Sequence, residues 1–168
     1  MLALVAIIAG EMFALTYVYR DETLDKLTCK VEDGIYKGIY TTQKNIDDMN
    51  EFRKYIRKHI KPGDVIAFRD NVPVGYLIAD GTMCDISTWD SLQFNLGYND
   101  PTALYEYYDR VGRMPDKIIY VLYGFYENLS FMDNNFLYNE FIAENYEYTH
   151  GQTDYNDTYR IIMIFERK

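Results

Sequence analysis

Residues 2–19 read LALVAIIAGEMFALTYVY, an apolar run whose single charge is Glu11. No other stretch narrows the fold as much. All 17 basic residues lie at or beyond Arg20, so the chain changes character abruptly there. A continuous apolar run of this length predicts a membrane helix. At the helical rise it would span about 27 Å, against a hydrocarbon core of ~30 Å. Tyr17, Tyr19 and Arg20 stand where interfacial anchors belong. No Lys or Arg precedes the run, as a signal peptide would require. The run has no polar face, which speaks against the alternative of a core helix. Glu11 calls for neighbouring membrane helices as partners. The expectation is a transmembrane helix over 1–20, the last of a longer membrane protein, followed by a soluble domain over 21–168. Charge alone leaves the orientation open.

The rest of the chain alternates between strand and helix signals. After a polar lead-in ending at Asp33-Gly34, residues 35–42 (IYKGIYTT) alternate apolar and polar and suggest a strand. Thr41 or Thr42 can cap the helix predicted over 43–60, whose apolar face is Ile46, Met49, Phe52, Ile56 and Ile60. Its last turns carry Arg53, Lys54, Arg57, Lys58 and His59, which suit the negative end of the helix dipole. Pro62-Gly63 stops it, and residues 64–70 (DVIAFRD) form a short buried strand. Pro73 opens a short helix over 73–79, and 83–87 is a strand. A loop with Trp89 and Asp90 leads to a helix that Asp100 caps and Gly112 ends, with Leu104, Tyr107, Tyr108 and Val111 on its apolar face. Residues 117–124 (KIIYVLYG) make the best strand of the sequence. A helix over 131–145 and a hairpin of 146–150 with 158–166 complete the chain.

Such alternation predicts an α/β fold: a three-layer Rossmann-like sandwich with a mostly parallel sheet and a C-terminal antiparallel hairpin, preceded by the transmembrane helix. The fold carries no nucleotide fingerprint, because neither G-x-G-x-x-G nor G-x-x-x-x-G-K occurs. Basic residues number 17 and acidic ones 26, a net charge of −9 that would repel a polyanion, so no nucleic acid is expected. His59 and His150 stand far apart in sequence without a Cys or Glu at ligand spacing, so neither metal nor cofactor is expected. Cys29 and Cys84 read as free thiols.

Ligands of parallel sheets bind beyond the carboxyl ends of the strands. That edge gathers Arg69, Asp70 and Asn71, then Asp85, Ser87, Trp89 and Asp90, then Tyr126, Glu127 and Asn128. Carboxylates beside exposed rings can hold a sugar, by hydrogen bonds and by stacking on its apolar face. Asp70, Asn71, Asp85, Trp89, Asp90 and Glu127 are therefore the ligand-binding candidates, and solvated loops with helix caps are the plainer explanation. The 18 tyrosines divide the same way, between a glycan-facing surface and core edges with wet hydroxyls. No catalytic residue is assigned.

Several of these stretches also resemble a family. Gly34, Lys37, Gly38, Ile39, Tyr40, Thr41 and Thr42, then the helix, the turn of Pro62, Gly63 and Asp64, and Trp89 follow the pattern of a C-terminal soluble domain. It is the domain found in bacterial, Firmicutes-like multi-pass membrane proteins that resemble glycosyltransferases of the GT-C fold. The likeness covers about residues 2–125. It implies polyprenyl-phosphate-sugar chemistry in a membrane part outside this sequence. It therefore implies an extracytoplasmic accessory domain at the cell membrane, binding an acceptor glycan or lipid-linked sugar, or docking a partner. Two alternatives stand beside it: a small hydrolase using carboxylates at strand ends, and a purely structural interaction module.

Overall fold

The computed structural model describes residues 5, 7, 8, 10, 22–69, 72–85, 88, 102–123, 140–154 and 160–168. They divide into two compact units, Met1–Lys58 and His59–Lys168.

In the first unit a single 3-10 turn, Leu24–Lys26, leads into β1 (Cys29–Lys30), which pairs antiparallel with β2 (Tyr40–Thr41). The strand expected over 35–42 shrinks to Tyr40–Thr41. Gly34 and Gly38 both take positive φ, 84° and 94°, and curl the intervening residues into turns. The Gly38 N–H donates to the Val31 carbonyl at 2.8 Å, and the Val31 N–H returns the bond to Ile39 at 2.8 Å. The apolar–polar alternation of 35–39 thus belongs to a hairpin loop. It leaves Ile35, Tyr36, Ile39 and Tyr40 exposed. Helix α1 (Gln43–His59) follows, close to its predicted bounds. The Thr42 hydroxyl accepts the Asn45 N–H at 3.2 Å, a side-chain N-cap. Phe52 and Ile56 are its buried residues, as the periodicity requires.

The second unit is built on a five-stranded sheet in the order β4-β3-β5-β7-β6. Its elements are β3 (Val65–Arg69), α2 (Pro73–Ile78), β4 (Thr82–Met83), α3 (Thr102–Val111), β5 (Lys117–Tyr123), α4 (Glu140–Asn145), β6 (Tyr146–Asp154) and β7 (Arg160–Arg167). β4, β3 and β5 run parallel, whereas β7 is antiparallel to both β5 and β6. The sheet is therefore mixed, not mostly parallel as expected. The C-terminal hairpin supplies two full strands and places β7 in the interior.

Successive residues of a strand face opposite sides of the sheet, and here both sides are buried. Ile66, Ala67, Ile118, Ile119, Val121 and Ile164 are all at or near zero exposure. On one face Ala67, Ile118, Tyr120, Met163 and Phe165 pack with Ile142 of α4 and with Tyr146. Tyr108 of α3 packs with Cys84 nearby. On the other face α2 lies so close that a Cβ built on Gly75 would meet the Phe68 ring at 2.6 Å. Gly75 is thus a requirement of helix–sheet contact rather than of backbone freedom. The Tyr76 ring stands edge-on to Phe68, with centroids 5.0 Å apart.

The transmembrane helix expected over 1–20 is overturned. Among the described residues no helix is long and apolar enough to cross a membrane. Val5, Ile7, Ile8 and Gly10 are the residues of 1–20 that the structure describes, and they are helical. The physical obstacle was already in the run: it falls short of ~30 Å of hydrocarbon and carries the Glu11 carboxylate in its middle.

Candidate polar site at the carboxyl edge of the sheet

β3 enters the core as Val-Ile-Ala-Phe and ends on Arg69, a side chain 10% exposed. A guanidinium placed there needs an anion, because isolated charge is too costly to desolvate. Asp85, just beyond β4 and 6% exposed, supplies it. Arg69 Nη1 donates to both oxygens of Asp85 at 3.0 Å and to the Phe68 carbonyl at 3.1 Å. Arg69 Nη2 donates to the Tyr108 hydroxyl at 2.6 Å, and that hydroxyl donates onward to Asp85 Oδ1 at 2.6 Å. From the opposite face Tyr76 Oη accepts the Phe68 N–H at 2.7 Å and donates to Asp85 Oδ2. The carboxylate so receives four hydrogen bonds, near its full acceptor capacity. β3, β4, α2 and α3 are joined through a single residue.

The electrostatics follow from this enclosure. Burial pushes the Tyr76 and Tyr108 hydroxyls well above the usual tyrosine range, and the Asp85 charge adds to it. Burial alone would lower the Arg69 pKa, but Asp85 and the hydroxyls of Tyr108 and Tyr120 raise it, so the guanidinium stays charged. Burial likewise lifts the Cys84 thiol, which donates to the Arg113 carbonyl at 3.1 Å. Cys84 and Cys29 are both free.

Of the ligand-binding candidates, Asp85 is described and sits at the centre of this network. Asp70, Asn71, Trp89, Asp90 and Glu127 lie outside the described residues. Of residues 83–87, expected as a strand, Met83 is strand and Cys84 and Asp85 are not, while 86 and 87 lie outside the described residues; β4 begins one residue earlier, at Thr82. Tyr76 went unnoticed in the sequence, and Arg69 and Tyr108 were noted for other reasons. The available signal was the arginine itself, a cation closing a four-residue apolar strand.

A second polar cluster occupies the opposite end of the same strands. Lys117 Nζ donates to the His59 carbonyl at 2.6 Å and pairs with Asp64 at 2.9 Å and Glu166 at 3.8 Å. Burial tends to raise the Asp64 pKa, but the Lys61 N–H and the Lys117 ammonium outweigh it and hold the carboxyl below its ordinary value. Asp116 accepts the Val65 N–H at 2.9 Å and pairs with Arg167 at 2.5 Å. His59 and His150, remote in sequence, have ring centroids 4.1 Å apart. His150 is a residue of β6. Among the described residues no group of three or more His, Cys, Asp or Glu could hold a metal ion.

The chain matches no family model, no curated protein and no solved structure.

Proposed function

We propose that the α/β unit is a recognition domain that binds a sugar-containing acceptor at the carboxyl edge of β4, β3 and β5 without transforming it. The observation that carries this reading is the saturation of Asp85. A general base or nucleophile needs an accessible lone pair. Asp85 gives all its acceptor capacity to Arg69, Tyr76 and Tyr108. The network braces the strand ends from which the loops to the ligand edge depart. The abundance of tyrosine and the family likeness of the sequence favour a glycan as the ligand. The membrane tether first attached to this reading is dropped with the transmembrane helix. The test is titration of the full chain with neutral and anionic envelope oligosaccharides. Saturable binding that Asp85→Asn weakens supports the proposal, and the absence of binding at millimolar ligand overturns it.

A specific observation favours a second reading, the interaction module. Leu24, Ile35, Tyr36, Ile39 and Tyr40 are all exposed within the first unit, Ile39 and Tyr40 at 53% and 56%. Exposed apolar clusters of this kind mark contact surfaces. Pull-down with hairpin variants Ile39→Ser and Tyr40→Ser would distinguish it from glycan binding.

A further inference from the structure

β6 (Tyr146–Asp154) closes one side of the five-stranded sheet, and among the described residues β7 is its one strand neighbour. A strand in that position presents a row of N–H and C=O groups outward. Among the described residues no turn, cap or loop bond of the backbone reaches 146–154. Glu147, Tyr148, His150 and Gly151 are exposed, and Thr149 and Gln152 are half-buried. Proteins blunt such edges with Pro, Lys or a bulge. β6 has no Pro, Lys or Arg. Its register slips once, between Tyr148 and His150, where Thr149 is the extra residue. Beyond that bulge residues 150–154 (HGQTD) run in unbroken register against 160–164.

We propose that a second copy of this chain pairs with the 150–154 edge, antiparallel and strand against strand, to form a twofold dimer with one continuous sheet. A twofold contact is self-complementary: residue i meets j, and j meets i. The bulge ends the regular segment on one side, and the strand ends at Asp154 on the other. All five residues therefore pair only when the dyad falls at Gln152.

In that register Gln152 stands opposite its own copy and Gly151 opposite Thr153. Residue 150, a histidine, stands opposite residue 154, an aspartate, twice over. A dyad at Asp154 would set acid against acid, and one at Gly151 would carry Asp154 opposite Tyr148, across the bulge. Complementary partners stabilise a strand pair, and like charges directly opposite destabilise it. Each copy carries a net charge of −9. The register that sets each aspartate against a histidine is thus the one two copies can share. The His150 side chain is 45% exposed, with Nδ1 4.0 Å from a Glu166 oxygen and its ring beside that of His59. A contact this short places the dimer among weak, transient assemblies.

The experiment is cross-linking through the dyad in the full chain, with Cys29→Ser and Cys84→Ala removing the native thiols. Opposite Cα atoms of an antiparallel pair stand about 4.5–5.5 Å apart, within disulfide reach. Gln152→Cys should therefore oxidise in air to a disulfide-linked dimer. It should do so at least tenfold faster than His150→Cys, whose two copies lie ~14 Å apart along the strands. Mixing His150→Cys with Asp154→Cys should restore fast linking. With the native cysteines in place, sedimentation at millimolar chain should show the dimer. His150→Asp should weaken it about fivefold, and His150→Asp/Asp154→His should recover it. Should His150→Asp not fold by circular dichroism, the cysteine series decides. Equal linking at 150 and 152, or a chain still monomeric at millimolar concentration, overturns the proposal. So does a monomer whose β6 amides are protected from hydrogen exchange only by an added extended peptide, because the edge then serves another occupant.

Discussion

Arg69 and Asp85 make the clearest case for reasoning from single residues. Both side chains are buried, and they pair with each other at 3.0 Å. Removing one leaves the other uncompensated, so Asp85→Ala should lower unfolding free energy by about 3–5 kcal/mol in urea denaturation. Replacing both, as Arg69→Met with Asp85→Leu, should cost less than either single change, since no orphaned charge remains. The tyrosines add a pH dependence of definite sign. Tyr76 and Tyr108 have folded pKa values raised above an unfolded value near 10, so the folded state binds more protons there. Their contribution is fully present below about pH 10 and is lost as pH rises beyond it. Stability should fall by up to about 1.4 kcal/mol per pH unit for each hydroxyl. Unfolding followed by tyrosinate absorbance in wild type and in Tyr76→Phe/Tyr108→Phe tests this, the variant showing the shallower decline. The sequence announced half of this network. An Arg closing an apolar strand demands an anion, but which of the acids at that edge answers it depends on where α2 and α3 come to rest.

At the scale of elements, patterns anchored by a physical stop were legible, and patterns of alternation alone were not. Helix α1 was found nearly to the residue because Thr42 caps it and Pro62-Gly63 prevents its continuation. β5 was found because its run is rich in β-branched and aromatic residues, Ile118, Ile119, Tyr120, Val121 and Tyr123. The 35–42 stretch failed because two glycines at positive φ turned an alternating pattern into a loop. The apolar face of α3 was drawn one position too far, for Val111 is 47% exposed. α2 holds a subtler conflict between levels. Alanine at Gly75 should improve helix propensity by about 1 kcal/mol. Its Cβ would overlap the Phe68 ring at 2.6 Å. Overpacking should win, so Gly75→Ala is expected to destabilise by about 1–3 kcal/mol in thermal unfolding. Phe68→Leu in the same chain should recover part of that loss.

Over the whole α/β unit the decisive feature is the placement of β7. It pairs with β5 along seven residues and with β6 on its other side. Ile162, Met163, Ile164 and Phe165 are buried on alternating faces. Deleting residues 160–168 should therefore abolish the cooperative unfolding transition rather than trim it, as measured by circular dichroism against urea. The sequence reading foresaw a hairpin but treated it as an edge appended to a parallel sheet. Periodicity shows that a strand exists; it does not show who its neighbours are. Of the candidates the sequence places at the carboxyl edge, only Asp85 falls among the described residues.

Because β7 sits between two strands that both precede it, the unit cannot be assembled in the order in which it is written. β5 emerges during synthesis with one flank open, and β6 emerges before its only strand neighbour in the sheet. Both wait for residues 160–167, and in that interval a bare Ile-Ile-Tyr-Val edge is available to any other nascent chain. A growing polypeptide of this design is safest where a holdase reaches it before a neighbouring ribosome's product does.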